Sequence, residues 1–122
     1  MNEEKLTKEE REVYDRVNTF AVSQFKIKNA INKCLTGGVN LEKLEVLMSK
    51  AKKLLGYGLK TDKMLDEIFD KTKETNISTE EKRELNIVQE SYKEQLKEFK
   101  HFYAVAKKAY MKAQSEQSLS AF

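Results

Sequence analysis

Few residues of this sequence could do chemistry. His101, the only histidine, follows Glu98 at the Glu-x-x-His spacing, which sets two metal ligands on one face of a helix in di-iron carboxylate bundles. Such a centre needs a second pair and two further inward carboxylates. With one histidine in the chain, and His101 opposite the apolar stripe of its helix, an exposed histidine is expected and no metal. Cys34, the only cysteine, lies on an apolar stripe near a helix end, the ordinary place of a small buried hydrophobe. A cysteine nucleophile needs a base beside it, and the histidine is far along the chain. Gly56-Tyr57-Gly58-Leu59-Lys60-Thr61 has the residue types of a phosphate loop without the G-x-x-x-x-G-K-[ST] spacing or a preceding strand, so it reads as a hinge. The doublets Glu9-Glu10 and Glu80-Glu81 suit first helical turns, where acids complement the positive end of the helix dipole. The expectation is a non-enzymatic chain with no catalytic residue, metal or cofactor.

Binding chemistry concentrates late in the chain, where Phe99, Phe102, Tyr103 and Tyr110 alternate with lysines. The aromatic residues fall at core positions, so packing is favoured over a base-stacking platform, which needs exposed rings. Arginine, the usual reader of base edges, supplies only Arg11, Arg16 and Arg83 of 23 basic residues. The expected function is a protein–protein interaction module, an adaptor, inhibitor or assembly subunit. The second reading is nonspecific nucleic-acid binding through the lysine-rich face. The candidate interaction residues are Lys93, Lys97, Lys100, Lys107, Lys108, Tyr110, Met111 and Lys112.

The elements that position these residues are helices. Proline and tryptophan are absent, glycine numbers four and charged residues make up 35% of 122 residues, a composition of helix formers with much surface per core. Thr7-Lys8-Glu9-Glu10 is a capping box. After it, Val13, Val17, Phe20, Ile27, Ile31 and Cys34 recur at spacings of three and four, Gln24 fills the missing step, and Tyr14, Ala21, Phe25 and Leu35 widen the stripe. Gly37-Gly38 ends that helix. Asn40 caps a second run with Leu41, Leu44, Leu47, Met48, Ala51, Leu54 and Leu55, and a third with Met64, Leu65, Ile68 and Phe69 follows Thr61-Asp62. Ser78-Thr79-Glu80-Glu81 is a second capping box; it overlaps the glycosylation sequon Asn76-Ile77-Ser78, for which a helix start is the expected reading. The last helix carries Leu85, Tyr92, Phe99, Ala106 and Ala113 at one heptad position, Val88, Gln95, Phe102 and Ala109 at another, and Leu96, Tyr103 and Tyr110 alongside.

The expected fold is one all-α domain, an antiparallel helical bundle of coiled-coil character with helices near 8–35, 40–55, 61–75 and 79–116 and flexible ends at about 1–6 and 117–122. Three long arms with the middle arm broken at Gly56–Gly58 are preferred to a four-helix bundle. Net charges by segment are −2 for residues 1–16, +6 for 17–60, −4 for 61–90 and +3 for 91–122, so three antiparallel arms gather acid at one end and base at the other. The last helix should overhang its neighbours beyond Ala106, exposing Ala109, Tyr110, Met111 and Ala113 to a second copy in a homodimer. The lack of a secretion signal, of any long apolar run and of a second cysteine points to the cytoplasm and not to a membrane. The excess of lysine over arginine suits an AT-rich bacterial or phage genome.

Overall fold

A computed structural model describes residues 8–73 and 78–120, with side chains described for 8–71 and 78–117. The chain forms three helices, α1 (Lys8–Thr36), α2 (Leu41–Lys73) and α3 (Thr79–Ser120), in an all-α antiparallel bundle. Each helix runs opposite to the one before it. α2 packs along both neighbours, and α1 meets α3 much less extensively.

The helix ends follow local chemistry. Gly37 donates its amide to the Lys33 carbonyl at 2.9 Å, and Gly38 takes φ +89°, a left-handed conformation that only glycine adopts without strain. Asn40 caps α2 through Oδ1, which accepts the Lys43 amide at 3.1 Å, and Ser78 caps α3 by accepting the Glu81 amide on Oγ at 3.1 Å. Thr7, Asn76, Ile77 and the ends at 1–6 and 121–122 lie outside the described residues. α3 continues through 117 to Ser120, so residues 117–120 are helical where a flexible end was expected.

The break expected at Gly56–Gly58 does not occur: the helices expected at 40–55 and 61–75 are one continuous α2. Each glycine costs a helix about 1 kcal/mol relative to alanine, less than the packing available to a helix flanked on both sides. Gly58 has a positive reason to be glycine. A Cβ there would stand 2.6 Å from Cε2 of Phe20 and 3.0 Å from Cδ1 of Leu96, so α1 and α3 press on bare α2 backbone. Phe20, wholly buried, cannot retreat, because its ring is held edge-on by Tyr92 at 5.4 Å and by Phe99 at 5.6 Å.

The core extends from this junction through Val13, Ile31, Leu44, Ala51, Leu65, Leu85, Leu96 and Ala106, the apolar stripes of the sequence. Phe25 departs from its stripe: its side chain is 64% exposed, since it lies beyond the edge of the arc that α2 and α3 cover. Ion pairs mark which segments lie level. Lys71 meets Glu9 at 3.0 Å, and Lys93 meets Asp62 at 2.9 Å and Asp66 at 3.1 Å. The acidic stretches 8–16, 61–73 and 78–90 therefore share one end of the bundle, and the basic stretches 17–60 and 91–120 extend to the other.

The overhang of α3 beyond α1 begins further along the helix than expected. Phe20 sits between Tyr92 and Phe99, so at 1.5 Å per residue the end of α1 comes level with roughly residue 111. Val39, Leu41, Ala113, Glu116 and Gln117 line one open hollow of about 300 Å³. Ala106 is buried, Tyr110 packs against the core, Ala109 and Ala113 are half-buried, and of the expected patch Met111 is the exposed residue.

The two glycines of α2 should respond oppositely to alanine. Gly58→Ala should destabilise by about 1–3 kcal/mol through overpacking. Gly56→Ala, with nothing within 4 Å of its added Cβ, should stabilise by about 0.5–1 kcal/mol through helix propensity. Urea denaturation of the two variants reads both.

Candidate interaction surface

The groups that the sequence singles out for chemistry stand apart from one another among the described residues. No group of three or more His, Cys, Asp or Glu side chains could hold a metal ion among them. His101 and Glu98 are exposed on α3. Cys34 is buried, with its thiol 3.5 Å from the Asn40 carbonyl oxygen, where it ties the end of α1 to the cap of α2. No helix among the described residues is long and apolar enough to cross a membrane.

Polar chemistry inside the bundle gathers next to Gly58. Arg16 of α1 lays its guanidinium 3.8 Å from the centre of the Tyr57 ring, donates from Nη2 to the Tyr57 carbonyl at 3.1 Å and from Nε to Thr61 Oγ1 at 2.9 Å. Thr61, wholly buried, donates its hydroxyl to the same carbonyl at 2.8 Å. Tyr92 donates its hydroxyl to the Gly58 carbonyl at 2.7 Å. Arg16, Thr61 and Tyr92 thereby tie the three helices together at one level. Burial, chiefly, pushes the Tyr92 phenol up to about 12, with Asp62 adding to the rise and the Thr61 hydroxyl and Arg16 opposing it.

Of the expected interaction residues, the lysines share the outer side of α3, away from its buried residues, and Tyr110 lies outside that group. Lys93 is engaged with Asp62 and Asp66 and serves the fold. Lys97, Lys100, Lys107, Lys108 and Lys112 are exposed, but they share no surface with free aromatic rings. Phe99 is wholly buried, and Phe102, Tyr103 and Tyr110 pack against the core.

The sequence reading missed a surface on α1. Val22 and Phe25 stand 56% and 64% exposed, beside a hollow of about 490 Å³ lined by Ala21, Val22, Gln24, Phe25, Lys26 and Gln95. Oε1 of Gln95 is buried there without a hydrogen-bond partner among the described residues. A signal was present: Asn18, Val22, Phe25, Asn29, Asn32 and Thr36 follow one another at alternating steps of four and three, a second helical stripe outside the core stripe.

Tyr92 gives the fold a measurable alkaline limit. Its phenol ionises later in the folded chain than in the unfolded one, so its contribution to stability is complete below pH 10 and is lost as pH rises from 10 towards 12. In that window the loss is about 1.4 kcal/mol per pH unit. Tyr92→Phe should begin about 1 kcal/mol less stable at neutral pH, having lost its bond to Gly58, and should decline less steeply under base, as urea melts at stepped pH will show. Comparison with protein-family models, with curated proteins and with solved structures finds no match to this chain.

Proposed function

We propose that this protein is a non-enzymatic, cytoplasmic protein–protein interaction module, an adaptor, inhibitor or assembly subunit that works through a helical surface. The observation that carries this reading is the pair Val22 and Phe25, both more than half exposed beside an apolar hollow. Interface centres are depleted in charge and enriched in aromatic residues, with a few buried side chains supplying most of the binding energy. Phe25 has those properties, and burying its exposed ring is worth about 1.5–3 kcal/mol.

Nonspecific nucleic-acid binding is the second reading, favoured by the exposed lysines Lys97, Lys100, Lys107, Lys108 and Lys112. It needs only backbone electrostatics, which the basic end of the bundle supplies.

The two readings respond to different substitutions. Capture of cellular proteins by the tagged chain should be lost with Phe25→Asp and retained with Met111→Asp, whose side chain is 57% exposed elsewhere on the surface. Capture indifferent to Phe25 overturns the interaction reading at this surface. Affinity for mixed-sequence DNA or RNA that falls steeply with salt, with a slope reduced by about 0.9 for each of Lys100 and Lys107 removed, would favour the second reading.

A further inference from the structure

The stripe that carries Phe25 has a composition unlike the rest of the surface. In a chain of which 35% is charged, six consecutive stripe positions of α1, Asn18, Val22, Phe25, Asn29, Asn32 and Thr36, carry no charge. They extend for about 27 Å along the helix. All six are exposed, and their alternation of four and three is that of a helix seam meant to lie against another helix. Asparagine in such a seam fixes register and partner number, because an amide left unpaired in the contact is costly.

We infer that α1 pairs through this seam with α1 of a second copy of the same chain, antiparallel, in a symmetric dimer. The stripe is self-complementary in that orientation and in one register. Val22 lies against the partner's Phe25 and Phe25 against the partner's Val22. Asn18 faces the partner's Asn29, and Asp15, one step further along the stripe, faces the partner's Asn32. Each phenylalanine thus enters the other copy's hollow between Ala21, Val22 and Gln95. A knob and a recess on the same face of one chain are what a two-fold interface requires.

Charge selects the antiparallel orientation. Of the charges on α1, Asp15 flanks the stripe in the first half and Lys26 and Lys33 flank it in the second, with no acid after Asp15. Glu9 turns to Lys71 and Lys28 to the Phe102 ring. Arg11, which continues the stripe, meets the partner's Thr36, an uncharged residue, in the antiparallel register. Antiparallel pairing brings Asp15 beside the partner's Lys33 twice over and sets the acidic end of one bundle against the basic end of the other. Parallel pairing instead places Asp15 on Asp15 and aligns like ends. The contact is one helix wide, at the small end of protein interfaces, so the dimer is reversible and depends on concentration. This inference rests on the interaction reading for its surface and goes beyond it by naming the partner.

Sedimentation of the full chain from micromolar to millimolar concentration should show a monomer–dimer equilibrium. Phe25→Asp, at an exposed position, should leave the helical circular dichroism and the melting temperature unchanged and weaken the dimer at least about tenfold. Met111→Asp should leave the dimer intact. In a Cys34→Ser background whose melting is checked first, a mixture of Asn18→Cys and Asn29→Cys chains should join through a short bis-maleimide, and Asn18→Cys chains alone should not. A monomer at every concentration, a dimer indifferent to Phe25→Asp, or joining of Asn18→Cys chains to one another overturns the pairing. A monomeric chain that still captures other proteins in a Phe25-dependent manner overturns the dimer and leaves the interaction reading standing.

Discussion

The close approach at Gly58 is the constraint on which the bundle turns. With no Cβ there, Phe20 of α1 and Leu96 of α3 rest against the backbone of α2, and the Gly58 carbonyl receives the Tyr92 hydroxyl. The three helices thereby meet at one level, and the ring triad of Phe20, Tyr92 and Phe99 fixes how far α3 slides along α1. The polar cluster of Arg16, Tyr57 and Thr61 sits beside that junction, with Arg16 and Tyr57 half-buried and Thr61 wholly buried. Buried polar groups stabilise when every donor has its acceptor, and Thr61 and Tyr92 both do.

Much of this architecture was legible in the sequence. Ser78 and Asn40 cap their helices as their types and positions require, Gly38 ends α1 in the left-handed conformation, and the period of Val13, Phe20 and Ile31 identifies the buried face. What misled was Gly56-Tyr57-Gly58. Glycine in a helical pattern signals either a break or a close approach, and local sequence does not distinguish them, because the atoms that approach Gly58 come from residues far away in the chain. The same limit explains the overhang. Its length depended on the level at which α3 lies against α1, which is set by the interlock of Phe20 with Tyr92 and Phe99 and not by where the helices begin.

The interaction surface was less legible for a different reason. Phe25 is apolar and so reads as part of the core stripe of α1, yet it stands about 140° round the helix from Phe20, outside the arc that α2 and α3 cover. The lysines of α3 are numerous, yet number is a weak guide: Lys93 is bound to α2, and the rest lie on the outer side of a helix whose rings face inward. A charge-free stripe is easily overlooked because it is an absence, but in a chain this rich in lysine and glutamate it is the rarer pattern.

Three helices with α1 and α3 meeting sparingly leave one side of the bundle less covered than the others, and that is the side on which Phe25 and the partnerless acceptor of Gln95 lie. A fourth helix from within the chain would close it, and no described segment does so. Covering the seam of α1 with another helix would shield the exposed ring of Phe25, fill the hollow beside Gln95 and, in the antiparallel sense, set Asp15 of each copy beside Lys33 of the other. Each of these gains is modest alone. They coincide on one helix face because the residues that hold the bundle together, Phe20 and Arg16 among them, occupy the opposite side of α1 and leave this stripe free of any duty to the fold.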